Sequence, residues 1–292
     1  MGGTPKNMFK NILIPISSEF YSKNVLERAV LLAEKFQSKL TIIYIIEKKT
    51  ITQAIKLIDP YRTPQELTEM KKEIINKHKQ TAAKIVFDDL NQLTKNKKIQ
   101  INEKIIEGEF SGTIQKELKT NPYDLILMGF EKECILKYRV LEETTVPLWV
   151  DAGYQPDTIL VICSNLAPNQ KAPDLSIKLS KTLNWDIQML YIVDMEDTVQ
   201  VDKKGHRSDK KPERDLLFHG QKFIEEMEKK GIKTRLVKGS LEKETIKAAE
   251  KIKTALIIIG REQKKRGILG LPVKNLKKKL VEKCNYSILF IH

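Results

Sequence analysis

Five cations, Arg261, Lys264, Lys265, Arg266 and Lys274, stand between Gly260 and Asn275. Lysine and arginine donate charged hydrogen bonds to phosphate and carboxylate groups. The segment therefore reads either as an anion-holding loop or as a solvated basic surface. Little else in the chain offers chemistry. Ser17, Ser18 and Ser164 follow apolar runs, where a nucleophile can sit, but no elbow motif surrounds them. They read as small polar residues turning the chain into a helix. Glu107 and Glu109 flank Gly108 as a candidate acid–base pair, with a solvated turn as the simpler reading. His78, His206, His219 and His292 lack metal-ligand spacing. Cys134, Cys163 and Cys284 are odd in number and share no metal spacing, so they read as reduced thiols of a cytoplasmic protein. No catalytic residue and no metal ligand is expected.

The elements that must position these residues occur twice. Asn11-Ile-Leu-Ile-Pro-Ile-Ser17 returns as Thr158-Ile-Leu-Val-Ile-Cys-Ser164, and Leu40-Thr-Ile-Ile-Tyr-Ile-Ile-Glu47 as Ile187-Gln-Met-Leu-Tyr-Ile-Val-Asp194, both 147 residues on. Gly108 matches Gly239 and Gly129 matches Gly260 at an offset of 131, and the closing run 146–150 matches 286–290 at 140. Offsets that hold over two elements and then jump are the trace of a duplicated domain with loop insertions.

Each repeat predicts strand, helix, strand, long helical region, strand, helix, strand, helix, strand. The run 12–16 is continuously apolar, as a parallel strand buried on both faces requires. Val25, Leu26, Ala29, Val30, Leu32, Ala33 and Phe36 then recur at helical spacing, with Ser18 or Ser22 as a cap. Strands alternating with helices predict an α/β fold: two repeated doubly wound domains, each a five-stranded parallel sheet with helices on both faces. Domain 1 spans 8–151 and domain 2 spans 157–292, with Gly153 and Pro156 in the linker. The closing strands near 146–150 and 287–291 are apolar edges, expected to cover one another. The stretch 203–212 is polar and reads as a surface loop. In such sheets ligands sit at the carboxyl ends of strands where the order reverses. This draws attention to Ser17 and Ser164, Glu47 and Asp194, and the four matching glycines.

The 292 residues carry 52 basic and 38 acidic side chains, a net charge of +14. That balance favours anionic partners, or reflects a lysine-rich solvated surface. Nucleic-acid binding would require a compact basic stripe with aromatics, and the best stretch for one is 261–283. No apolar run reaches the ~18 residues of a membrane span, and the polar start lacks a signal-peptide pattern.

At this point the residues resemble the universal stress protein family. Met8-Phe-Lys-Asn-Ile-Leu-Ile-Pro-Ile-Ser-Ser18, Lys39-Leu-Thr-Ile-Ile-Tyr-Ile-Ile46, Glu107-Gly-Glu109, Tyr123-Asp-Leu-Ile-Leu-Met-Gly129 and Val146-Pro-Leu-Trp-Val150 follow that family's strands in order, and the pattern recurs in repeat two. The chain thus resembles a tandem universal stress protein of adenine nucleotide alpha hydrolase-like, Rossmann-like fold. The resemblance implies a non-enzymatic regulatory protein of the stress response, with the two domains as an intramolecular pseudo-dimer. It also allows a homodimer of whole chains and implies a regulatory protein partner that the sequence does not name.

ATP-binding members carry an Asp after the first strand, then Gly-x-x-Gly, nine further residues, and Gly-Ser or Gly-Thr opening the last helix. The glycines let backbone approach phosphate at a helix N-terminus. Repeat one departs from this. Ser17 replaces the Asp, and only Phe130 to Cys134 stand where the phosphate loop belongs. Family-type ATP binding is therefore not expected in domain 1. Repeat two keeps a loop nine residues longer, with Gly260 and Gly267 retained. Ser164 again replaces the Asp, Lys264 falls at the second Gly, and Lys274-Asn275 replace Gly-Ser. The resemblance thus leaves two readings of domain 2: a decayed site with a solvated basic loop, or an anion or nucleotide site at Ser164, Gly260, Arg261, Lys264, Gly267, Lys274 and Asn275, with ATP or AMP as the candidate ligand. The alternatives are a sensor of another anion, with weak ATP hydrolysis as a variant, and a nucleic-acid-binding protein suggested by charge alone.

Overall fold

The computed structural model describes residues 8–56, 63–129, 135–153, 157–167, 169–202, 206–260 and 276–291. The chain divides into two compact units, Met1–Thr144 and Thr145–His292.

In the first unit, β1 (Asn11–Ser17) leads through α1 (Lys23–Phe36) to β2 (Lys39–Glu47). Ile12, Leu13 and Ile14 are fully buried, which is why the strand needs no polar alternation. Val25, Leu26, Ala29, Val30, Leu32, Ala33 and Phe36 form the buried stripe of α1. Ser22 is its first flanking residue, but no side chain caps the helix. A left-handed Gln37 ends it. Then follow α2 (Lys48–Lys56), which the sequence reading lacks, and a long helical stretch. In that stretch α3 (Pro64–Thr81), a π-helical turn (Ala82–Phe87) and α4 (Asp88–Thr94) run on without a break in numbering. A capping box of Thr63 and Glu66 starts α3. β3 (Ile101–Gly108), α5 (Phe110–Thr120), β4 (Leu125–Gly129) and α6 (Ile135–Glu143) complete the unit. The strands lie in the order β4-β1-β2-β3, all parallel. Helix α1 packs with α4 and α5 with α6. Same-handed crossovers put the two pairs on opposite faces.

The second unit repeats this plan with β6 (Thr158–Ser164), α7 (Lys171–Leu183), β7 (Asp186–Asp194), α8 (Glu213–Lys229), β10 (Thr234–Gly239), α9 (Leu241–Ile252), β11 (Leu256–Gly260), α10 (Leu276–Lys283) and β12 (Ser287–Ile291). Between β7 and α8 the expected surface loop is instead a small hairpin, β8 (Val199–Val201) against β9 (Arg207–Lys210). Val199 and Val201 are buried while β9 is mostly exposed.

The fold class is the expected one, with a difference at the closing strand. β5 (Leu148–Asp151) falls in the second unit. It pairs antiparallel with β12, Leu148, Trp149 and Val150 opposite Phe290, Leu289 and Ile288. The strands of that unit therefore read β10-β7-β6-β11-β12-β5, with β5 the one antiparallel to its neighbour β12. All six paired side chains are buried. Among the described residues no helix is long and apolar enough to cross a membrane.

Candidate functional site

In the first unit the strand order reverses between β1 and β4, so the ligand crevice of this architecture opens at the carboxyl ends, beside Ser17 and Gly129. Hydrogen bonds already occupy that end. The Ser17 hydroxyl donates to the Glu47 carboxylate, and both groups are buried. The Glu19 N–H donates to Ser17 Oγ at 3.1 Å, and the Glu47 N–H donates to Ser18 Oγ at 3.1 Å. The serines thus tie the turn after β1 to the end of β2, which leaves Ser17 no exposed hydroxyl to act as a nucleophile. The turn, closed by Phe20 N–H to Ser17 O at 3.2 Å, swings the Phe20 ring over Gly129. A Cβ at Gly129 would lie 3.0 Å from Phe20 Cε1 and 3.1 Å from Val25 Cγ2. What remains is a cavity of about 10 Å³ between Pro15, Ser17, Phe20, Tyr21 and Val25, room for one water.

This contact yields a prediction. Gly129→Ala is expected to cost about 1–3 kcal/mol by overpacking. The same change in a Phe20→Ala background should cost much less. Thermal unfolding of the four proteins of this cycle measures the coupling, and additive losses would remove Phe20 from the crevice.

The second unit has the same turn with different fillers. Ala167 N–H donates to Ser164 O at 3.2 Å, as Phe20 does to Ser17. The offset of 147 that aligns Ser17 with Ser164 puts Ala167 at the place of Phe20 and Ala172 at that of Val25. The side chains that close the first crevice are both cut back to methyl groups. Ser164 is buried and bracketed by Asn169, whose Oδ1 accepts from Ser164 N–H at 2.9 Å and whose Nδ2 donates to Ser164 O at 3.0 Å. Asn165 is a hub with no solvent exposure. Its Oδ1 accepts from Asp194 N–H at 2.7 Å and from the Ser164 hydroxyl at 3.4 Å. Its Nδ2 donates to Val199 O at 2.8 Å and Asp197 O at 3.2 Å, and its carbonyl accepts from Val201 N–H at 2.7 Å. One side chain therefore joins the site strand, the end of β7 and the β8–β9 hairpin. An Arg207–Asp197 ion pair secures the hairpin from the far strand.

Of the residues expected at this site, the structure brings together Ser164 and Gly260. They end the neighbouring strands β6 and β11, in register from Ile159 and Leu256 to Ile162 and Ile259, and Gly260 is buried. Arg261, Lys264, Gly267, Lys274 and Asn275, with Lys265 and Arg266, lie outside the described residues, as does the short loop from Phe130 to Cys134.

The N-termini of α5 and α9, natural anion sites of another kind, are occupied from within. Glu109 precedes α5, and its carboxylate accepts from Ser111 N–H at 3.3 Å and Gly112 N–H at 2.5 Å. It also faces Arg139 at 3.7 Å. Glu109 is thus a cap, not half of an acid–base pair. In the second unit the residue before α9 is Ser240, which makes no side-chain cap. Buried Asp194 takes the role from the end of β7. Its Oδ2 accepts from Leu241 N–H at 2.6 Å, while Oδ1 accepts from Glu196 and Asp197 N–H at 2.9 and 2.8 Å.

A family model for the universal stress protein family matches residues 8–146. These residues are a universal stress protein domain. The fold extends the likeness over the whole chain. A universal stress protein from Archaeoglobus fulgidus DSM 4304 superposes with a TM-score of 0.62 at 14% identity, covering 96% of this chain and 95% of that one. A putative universal stress protein from Pseudomonas aeruginosa UCBPP-PA14 gives 0.67 at 12% identity, covering 99% and 95%. These neighbours share the adenine nucleotide alpha hydrolase-like fold. No curated protein matches the sequence.

Within this universal stress protein fold the sequence reading missed Phe20, Asn165 and Asn169 as determinants of the crevices, and it singled out Asp194 as a strand end without its role as the cap of α9. The repeat itself carried the signal for the first, because aligning the copies sets Phe20 and Val25 against two alanines. The basic stretch 261–283 also changes character where it is described. Lys283 Nζ lies 2.5 Å from Glu242 and Lys279 Nζ 3.5 Å from the same carboxylate, while Lys278 faces Glu282 at 3.7 Å. These lysines neutralise acids of their own fold. Cys163 and Cys284 are buried thiols, and burial pushes the Cys163 thiol up, away from the reactive thiolate. Among the described residues no three His, Cys, Asp or Glu side chains gather to hold a metal ion.

The Lys283 hydrogen bond, against the opposing effect of burial, holds Glu242 below its ordinary 4.5. A lowered folded pKa stabilises above the unfolded value, and the gain is lost as pH falls through the folded one. Glu242→Gln is therefore expected to be less stable than the parent at neutral pH, with the two converging in acid. Thermal unfolding between about pH 7 and pH 3 follows the gap, and a gap that stays constant would contradict the assignment.

Proposed function

We propose that the chain is a non-enzymatic regulatory protein of the stress response, built from two universal stress protein domains, 8–151 and 157–292. In this reading the first domain is closed to nucleotide. The second holds an anion, ATP or AMP, among Ser164, Gly260, Arg261, Lys264, Gly267, Lys274 and Asn275. The stress-response role follows from the family of residues 8–146. The observation that carries the asymmetry is the exchange of Phe20 and Val25 for Ala167 and Ala172 at equivalent crevices. A nucleotide needs hundreds of Å³, and the first crevice retains about 10 Å³. The second domain has a longer loop and a cluster of cations where the family uses glycine N–H groups. The non-enzymatic reading is supported by Ser17 and Ser164, which are buried and whose hydroxyls bond Glu47 and Asn165 inside the protein. The buried thiols Cys163 and Cys284 suit a reducing compartment such as the cytoplasm.

Titration calorimetry with ATP, AMP and polyphosphate tests this reading. Lys264→Ala with Lys274→Ala is expected to weaken binding about tenfold or more, taking ~1.5 kcal/mol or more per charged hydrogen bond, and to leave stability nearly unchanged. Equal binding by both proteins would move the site elsewhere. No binding by the parent would leave the loop a solvated surface.

A further inference from the structure

The outer face of α8 carries a stripe that the stress-protein reading does not use. Its inner face is pinned to the sheet. Leu216 is fully buried, and Gly220 sits so close that a Cβ there would lie 2.7 Å from Leu236 and 2.9 Å from Tyr191. The opposite face is thereby held outward. Arg214, Phe218 and Lys222 follow one another at four-residue spacing along it. Phe218 is 57% exposed. Lys222 Nζ lies 4.5 Å from its ring centroid, and the His219 ring stands edge-on at 6.3 Å. Lys211, Arg214, Asp215, Phe218 and His219 line a depression of about 390 Å³. The Arg214 side chain is 93% exposed and meets Asp215 through Nε at 3.8 Å.

We propose that this face binds single-stranded nucleic acid, with a base stacked on Phe218 and the flanking phosphates on Lys211 and Arg214. An exposed ring set among cations is the sequence-tolerant device of single-strand binders, in which stacking and phosphate neutralisation act together. The net charge of +14 draws polyanions to the surface at long range. Asp215 repels phosphates and peptide carboxylates alike, but its carboxylate also accepts hydrogen bonds from the amino and imino groups that a base presents and an acidic side chain lacks. The acid beside it, Glu213, is turned to Lys238 at 2.7 Å. The site lies apart from the Ser164–Gly260 crevice in sequence and chemistry, and it stands whether or not that crevice holds a nucleotide.

Fluorescence anisotropy with a labelled mixed-sequence oligonucleotide of about 12 nucleotides, within the site size of such modules, tests the proposal on the full chain. Phe218→Ala is expected to weaken binding about tenfold, and Phe218→Trp to restore it. Lys211→Ala with Arg214→Ala should lower the slope of log affinity against log salt by about 1.4, two phosphate contacts' worth. All three positions are on the surface, so circular dichroism should be unchanged. No binding by the parent at about 50 mM salt would overturn the proposal. So would Phe218→Ala binding like the parent, which would reduce the effect to bulk charge. Preferential binding of an acidic peptide of equal charge would give the face to a protein partner and overturn it as well.

Discussion

Asn165→Ala is expected to lower the stability of the second unit by about 3 kcal/mol or more, although Asn165 is one small polar residue. The side chain has no exposure and serves four partners. Its removal strands the Asp194 N–H and the Val199 carbonyl away from water, and each buried unsatisfied group costs about 1–3 kcal/mol. Asn165→Asp separates the two halves of the role. It still accepts from Asp194 N–H but no longer donates to Asp197 and Val199, and it adds a carboxylate beside buried Asp194. It should be at least as damaging. Urea unfolding measures the loss, and hydrogen exchange in β8 and β9 should rise with it. A loss below about 1 kcal/mol, typical of a replaceable hydrogen bond, would remove Asn165 as the hub.

Trp149→Ala is expected to cost about 3–5 kcal/mol, as large aromatic truncations in a core do. Trp149 is fully buried in β5 and sits opposite Leu289 of β12. The strand follows the first repeat in sequence, yet it falls in the second unit and pairs with β12 there. The amides of β12 should therefore lose protection against hydrogen exchange. Protection retained there would show that β5 does not hold β12.

What could be read from the sequence was what repeats or runs. The strands β1, β2, β6 and β7 are continuous apolar runs, so burial on both faces announces them twice. The α1 stripe and the Gly129 and Gly260 strand ends follow from spacing alone. The meeting of the closing strands followed from their apolar edges, but their antiparallel sense did not, because a four-residue apolar run carries no direction. The hairpin was illegible for a related reason. Arg207-Ser-Asp-Lys210 has no alternation, and its partners, Val199, Val201 and Asn165, lie outside it in sequence. Asn165 and Asn169 act through single long-range hydrogen bonds, which leave no periodic trace. Phe20 was legible in principle, since only comparison of the two copies shows it as an added bulk. The cation loop between Gly260 and Asn275 was read from charge, and charge gives no geometry.

The two caps described above imply an order of events when the chain folds. Glu109 lies two residues from one of the amides it closes, so α5 brings its own start signal and can form with little loop to close. Asp194 lies 47 residues from Leu241. Helix α9 acquires its start signal only after β7 is laid down beside β10 and the intervening hairpin and α8 have been threaded past. The first copy therefore caps this helix from within its own turn, whereas the second caps it only once β7 stands beside β10. Equivalent helices of the two copies thus differ in whether their start is fixed locally or by the sheet.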